Sequence, residues 1–189
     1  MKYLITLILI LLSIILKIPG KNIIKWSINT KLEWNDFKET IKGNKPIALT
    51  VSGIEFKQKT ENDTAIYLQI YAAFDKDRSA KVENKHELDY YRLKHEQIHF
   101  DITEWYTRIL RKALTDTILS TENDFLKIYH EIFRNLKKMQ KRYDSATDFA
   151  NDSAQQYKWN DYVAEKLNEY SAFANTEVTV HIERRINVR

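Results

Sequence analysis

The residues best suited to chemistry lie together at residues 95–99, in the order His-Glu-Gln-Ile-His. In an α-helix, side chains four positions apart lie on the same face, one turn from each other. The imidazoles of His95 and His99 can therefore bind one zinc ion, with Glu96 beside the first of them. Zinc lowers the pKa of a bound water toward about 7, and a neighbouring carboxylate can accept its proton. The pattern predicts a zinc site with Glu96 as its general base.

The third zinc ligand stays open at this point. A catalytic zinc usually has three protein ligands and one open position, and a chain with no cysteine offers only histidine and carboxylate. Glu104 lies about 180° around the same helix from His95 and pairs more simply with Arg108 at i+4. The remaining candidates for the third ligand are Asp144, Asp148, His130 and His181. Tyr143, next to Asp144, is a candidate oxyanion donor.

Three helices are expected to position these groups. The first begins near residue 88, because apolar residues recur there at helical spacing: Ile98, Ile102, Trp105, Ile109 and Ala113. The second is predicted over residues 122–141 and the third over residues 153–171. The acidic segment 143–149 is predicted to be the loop between them, which would place two of the candidate ligands in a turn.

Strand patterns come mainly before the helices. Residues 47–56 and 64–74 are rich in β-branched and alternating apolar residues, and we expect them to form an antiparallel pair. A short helix is expected from Asn35 or Asp36 to about residue 40, residues 75–87 are expected to be a loop, and residues 177–188 a closing strand. Strands followed by helices indicate an α+β fold, with a small antiparallel sheet packed on the helical part that carries the motif.

The N-terminal segment, residues 1–20, differs from the rest of the chain. Residues 3–16 form an uncharged apolar run between Lys2 and Lys17. This run is shorter than the roughly 17 residues that a membrane-spanning helix needs, and it has the length of the apolar part of a signal peptide. We expect a signal peptide or an uncleaved anchor, so that a single domain, residues 21–189, is exported, periplasmic, secreted or held at the membrane through residues 3–16.

The charge of the body argues against a nucleic-acid partner. The chain of 189 residues has 30 basic and 26 acidic residues, a net charge of +4. Without Lys2 and Lys17 the net charge falls to +2, which is close to neutral for a domain of this size. Strongly basic composition is the usual signature of nucleic-acid binding. No nucleic-acid partner is therefore expected; the motif at residues 95–99, and not the charge, predicts a peptide or protein substrate.

The motifs resemble those of the bacterial domain of unknown function 922 family, whose members are predicted zincin-like zinc-dependent proteases. The most specific match is the string from His95 to Ile102. Supporting matches extend over residues 26–170 and include Leu32, Trp34, Asp36, Phe37, Glu104, Arg108, Tyr143, Asp144, Thr147, Gln156 and Trp159. The resemblance implies a zincin-like fold and an exported single-domain zinc peptidase.

The sequence departs from this family at one position that concerns the metal. The family pattern continues after Tyr-Asp-x-x-Thr with x-His-Gly, and that histidine would be a natural third ligand, but here Phe149 and Ala150 stand in those two places. Two functions therefore remain. The first is an exported zinc peptidase in which Glu96 activates a zinc-bound water, and the second is a catalytically degenerate zinc-binding or scaffolding protein of the cell envelope.

Overall fold

A computed structural model of the chain describes residues 22–183, except residues 44, 45, 63, 85 and 87. The expected export segment, residues 1–20, lies outside the described residues. In the described part, no helix is both long enough and apolar enough to cross a membrane.

The larger sheet is antiparallel and is built on its longest strand, β5 (Ala65–Asp75). β4 (Ser52–Glu61) pairs with β5 along its length, which confirms the expected antiparallel pair. Its first strand was expected over residues 47–56, but Ala48–Leu49 join the smaller sheet instead. On the other side, β5 pairs with β1 (Ile23–Lys25) near its end and with β7 (Glu177–His181) near its beginning. Alternation in β5 turns one face toward the helices; its buried residues there are Leu68, Ile70 and Ala72.

The smaller sheet consists of three short strands in the order β2 (Glu39–Ile41), β6 (Ala80–Val82), β3 (Ala48–Leu49). Here two sequence predictions are wrong. Residues 35–40 form only one 3₁₀ turn, Trp34–Asp36, followed by β2, and the expected loop 75–87 contains β6. Strands of two or three residues are too short to show a periodic pattern. They form here by pairing with segments that are distant in the sequence, so the local sequence does not predict them.

Three helices follow: α1 (Tyr90–Thr115), α2 (Glu122–Ala146) and α3 (Ser153–Glu169). Each begins at a polar cap. Asp89 and Asp152 accept hydrogen bonds from backbone N–H groups of α1 and α3, and Thr121 forms a capping box with Asp124. The predicted positions of the three helices are confirmed, except that α2 continues to Ala146. The segment expected to be a loop from residue 143 is therefore helical for its first four residues.

α1 is the central helix of the α+β fold, which is confirmed. Its apolar stripe packs on the larger sheet, while α2 and α3 pack against α1. The fully buried members of this stripe include Ile102, Leu110 and Leu114. A second core cluster, which includes Phe37, Phe74 and Phe100, lies between α1 and the segments around the smaller sheet. The helix that carries the motif is thus buried on several sides, and this fixes its position.

A buried ionic network joins α1 to its neighbours. Glu104 accepts hydrogen bonds from Arg108 at 3.0 Å, as the i+4 spacing predicted, and from Arg111 at 2.9 Å. The guanidinium groups also donate to backbone carbonyls, Arg108 to Leu167 of α3 and Arg111 to Ile70 of β5. Glu104 is therefore a structural residue that faces away from the motif.

Candidate metal centre

Three ligand atoms converge between α1 and the last turn of α2. His99 Nε2 lies 2.8 Å from Asp144 Oδ1, His95 Nε2 lies 3.3 Å from the same oxygen, and the two Nε2 atoms are 3.2 Å apart. The three residues form the group in the described part of the chain that can hold a metal ion. His95 is buried, and His99 and Asp144 are partly exposed.

Two glutamines hold the other ring nitrogen of each histidine. Nδ1 of His95 is 2.8 Å from Oε1 of Gln156, and Nδ1 of His99 is 2.5 Å from Oε1 of Gln140. The amide nitrogen of Gln140 donates to the His99 carbonyl, and that of Gln156 donates to Asn160. These bonds turn both amide oxygens toward the rings. Each Nδ1 must then carry a hydrogen, so that in the neutral ring the lone pair is on Nε2.

The spacing of the three atoms fits a metal ion. Tetrahedral zinc with bonds of about 2.0–2.1 Å separates neighbouring ligand atoms by about 3.3 Å, close to the observed distances of 2.8, 3.2 and 3.3 Å. When both rings are neutral, the two Nε2 lone pairs and the carboxylate oxygen are all hydrogen-bond acceptors, so their close approach needs positive charge between them, from a metal ion or from protons on Nε2. Outer-shell partners that fix the histidine tautomer are usual at metal sites.

The electrostatics of Asp144 and His99 follow from this proximity. Burial alone would raise the pKa of the Asp144 carboxyl, but hydrogen bonds with His95 and His99 outweigh it and hold the pKa well below its usual range. Burial alone would lower the pKa of His99, but the hydrogen bond to Asp144 and the negative charge of Glu96 outweigh it and raise that pKa. The site therefore favours an anionic Asp144 with positive charge beside it.

Tyr143 supports the site from within the core. Its ring stacks on the imidazole of His95, with 4.5 Å between the ring centroids, and its hydroxyl donates to Oε1 of Gln156 at 2.8 Å. The side chain is fully buried, and burial strongly raises the pKa of its hydroxyl. The interpretation of Tyr143 as an oxyanion donor is wrong, because its hydroxyl is committed and closed to a substrate.

Glu96 lies beside the ligands, as its position in the motif predicts. Its side chain is buried, and its negative charge acts on both His99 and Tyr143. Among the described residues, no side chain donates a hydrogen bond to its carboxylate. Its backbone carbonyl accepts a bond from Thr50, which follows β3. The carboxylate is thus close to the metal ligands and is held by no other described group.

The other candidate ligands are not part of this group. Asp148 is exposed just after α2, His130 is exposed along α2, and His181 is exposed in β7. Phe149, where the resembled family has a histidine, is 61% exposed, and its backbone N–H donates to the carbonyl of Asp144. Asp144, five residues earlier in the chain, completes the group with the two histidines, so the group does not need a side chain at residue 149.

Sequence reasoning missed the roles of Gln140 and Gln156. In the sequence, Gln156 is only a supporting match to the family, and nothing distinguishes Gln140 when α2 is expected to end at residue 141. One signal was present: Gln140 and Asp144 have the same i, i+4 spacing as His95 and His99, and the two pairs face each other in the structure. That signal becomes visible only when α2 is extended past residue 141.

Comparisons of the chain with models of protein families, with curated proteins and with solved structures gave no match. The assignment of the metal centre therefore depends on the geometry of its own residues.

Proposed function

We propose that the protein is an exported zinc-dependent peptidase that uses Glu96 as its general base. The observation that carries the proposal is the convergence of two imidazole Nε2 atoms and one carboxylate oxygen, from His95, His99 and Asp144, beside the buried side chain of Glu96.

Zinc is a metal that this set of donors suits. Neutral imidazole suits zinc, and two histidines with one carboxylate are a known catalytic zinc set. The carboxylates of Asp144 and Glu96 together carry two negative charges, which balance a divalent cation. The two glutamines are neutral hydrogen-bond acceptors, so they orient the rings without adding a third negative charge.

The residues of the chain divide the proposed reaction among them. When bound, zinc would supply a Lewis acid that polarises a carbonyl and acidifies water. His95, His99 and Asp144 would hold it, while Glu96 would accept a proton from the attacking water at its carboxylate and deliver it to the leaving nitrogen. The C–N bond breaks as that nitrogen is protonated, which yields a carboxylate and an amine.

A peptide as the substrate, and membership of the domain of unknown function 922 family, are proposed on the resemblance of residues 95–102. Export to the bacterial envelope is proposed on the apolar run at residues 3–16. These two parts of the proposal are independent of each other, and either can fail while the metal centre stands.

Metal analysis tests the centre directly. We expect about one zinc per chain in the purified protein, with loss of zinc in the His95→Ala and Asp144→Ala variants. His130→Ala and Asp148→Ala are matched controls that should keep it, because those side chains lie outside the group. A metal-free wild type would contradict the site, and ferrous iron in place of zinc would contradict the peptidase, since two histidines and one carboxylate also bind iron in oxygenases.

The Glu96→Gln variant tests the reaction. We expect it to keep its zinc and to lose peptide cleavage, because the amide cannot accept a proton. Zinc retention distinguishes loss of the base from loss of the fold. Full cleavage by this variant would contradict the role of Glu96.

A zinc-binding or scaffolding protein without turnover is the second candidate. It is favoured by the commitment of the Tyr143 hydroxyl to Gln156, which removes the oxyanion donor suggested by the sequence. A wild type that is loaded with zinc and inert toward a broad peptide library would support this candidate over the peptidase.

A further inference from the structure

The exposed side of α2 is strongly basic. Six basic side chains lie on it, and we call this set the basic face: Lys127, Arg134, Lys137, Lys138, Lys141 and Arg142. Lys127, Arg134, Lys138 and Lys141 are among the exposed residues of the helix. The opposite side of α2 is buried and supplies core residues, among them Phe125, Tyr129, Ile132, Leu136 and Tyr143.

The basic face is a stripe along α2, interrupted by one exposed acidic residue, Glu131. At about 100° per residue, five of its six members fall within an arc of about 100°, and Lys137 lies about 40° beyond it. The arc is nearly opposite the centre of the buried side. From Lys127 to Arg142 the stripe is about 22 Å long, at about 1.5 Å per residue.

Little negative charge offsets this stripe. Between residues 127 and 142 there are six basic residues and one acidic residue, Glu131, a sum of +5; because the whole chain carries +4, the rest of the chain sums to −1. Lys127 lies 3.7 Å from Asp124. Among the described residues, no acidic side chain forms an ion pair with Arg134, Lys138 or Lys141. The positive charge of the protein is thus concentrated on one side of one helix.

We propose that the basic face binds the surface of an anionic lipid bilayer. Clusters of four to eight basic residues are attracted to anionic leaflets, and each lysine or arginine near such a surface strengthens binding about fivefold. The uncharged apolar run at residues 3–16, flanked by Lys2 and Lys17, points to the same partner. The proposal does not depend on zinc or on peptidase activity.

A membrane is favoured over single-stranded nucleic acid by what the basic face lacks. Proteins that bind single strands combine positive charge with aromatic side chains on which the bases stack. In the described part of the chain, α2 has no strongly exposed aromatic or other large apolar side chain. The basic face offers charge without a stacking surface, which suits lipid headgroups.

The experiment is co-sedimentation of the full chain with phosphatidylcholine vesicles that contain or lack phosphatidylglycerol. We expect tighter binding to the anionic vesicles, with the difference abolished at high salt because exposed charges are screened. The Lys138→Gln/Lys141→Gln variant should bind the anionic vesicles about 30-fold more weakly than the wild type. Comparing the two lipids separates the basic face from residues 3–16, which would bind both.

The matched control is Lys38→Gln/Lys57→Gln, which removes the same charge from exposed positions outside α2. It should bind anionic vesicles like the wild type. Equal binding to both lipids, or an equal loss in the control variant, would overturn the proposal. So would tight binding to an RNA homopolymer that the Lys138→Gln/Lys141→Gln variant weakens while its vesicle binding stays unchanged.

Discussion

At the scale of single residues, the centre is defined by hydrogen bonds as much as by ligands. Nδ1 of His95 and Nδ1 of His99 each contact the side-chain amide oxygen of a glutamine. The orientation of each amide is fixed by a hydrogen bond that its nitrogen donates. A ligand oriented in this way loses little freedom when a metal binds. Of the two glutamines, Gln156 makes the more extensive contacts, because its oxygen accepts hydrogen bonds from both His95 and the hydroxyl of Tyr143.

Replacing Gln156 with leucine should therefore weaken zinc binding about 10–100-fold, the usual effect of losing an outer-shell partner. The change removes the acceptor of the His95 Nδ1 hydrogen, so the ring can rotate or change tautomer. Zinc affinity measured by competition with a chromophoric chelator tests this. Gln156→Glu keeps an acceptor oxygen and should keep at least wild-type affinity. Equal weakening in the two variants would show that Gln156 only fills space.

At the scale of elements, long periodic segments were predictable and short or polar ones were not. α1 begins within about two residues of its expected start, because its buried stripe repeats over several turns. The end of α2 was missed because its last turn is polar and its contacts lie on other helices. β2 and β6, of three residues each, depend on partners far away in the sequence.

The same division holds for the site. His95, Glu96 and His99 were predictable because one helical turn fixes their spacing. Asp144 was one of four open candidates, since a sequence does not show which segment folds back onto α1. Asp144 reaches the two histidines because α2 packs on α1, and the same packing brings Gln140 to His99.

The turn after α2 stores backbone strain. Asp148, Phe149 and Ala150 have φ values of 46°, 52° and 68°, in the left-handed region that costs a residue with a side chain about 1–2 kcal/mol. This left-handed turn ends α2, directly after the last helical turn, which carries Asp144. The side chain of Phe149 is 61% exposed, so its burial offsets little of this cost.

We therefore expect Phe149→Gly to raise the free energy of unfolding by about 1 kcal/mol. Urea denaturation measures the change. Tyr157→Gly is the control: this residue is also exposed but lies inside α3, where glycine should lower the free energy of unfolding by about 1 kcal/mol. If both variants were destabilised, the left-handed turn would not be a source of strain.

At the scale of the whole molecule, α1 connects the metal centre to the fold through the buried charges of Glu104, Arg108 and Arg111. All three side chains are buried, and the two cations face one anion. The remaining guanidinium hydrogens reach carbonyls of β5, the end of α3 and the segment after it. A single carboxylate thus holds together contacts among the sheet and two helices.

Removing that carboxylate should be costly. Glu104→Ala leaves two buried guanidinium groups uncompensated and should lower the free energy of unfolding by about 3–5 kcal/mol. Glu169→Ala, which removes a partner of Lys166 at the surface, should lower it far less. Chemical denaturation of the three proteins measures both effects. If Glu104→Ala does not fold, Glu104→Gln keeps one acceptor oxygen and should show a smaller loss, and a Glu104→Gln variant as stable as the wild type would contradict the network's role.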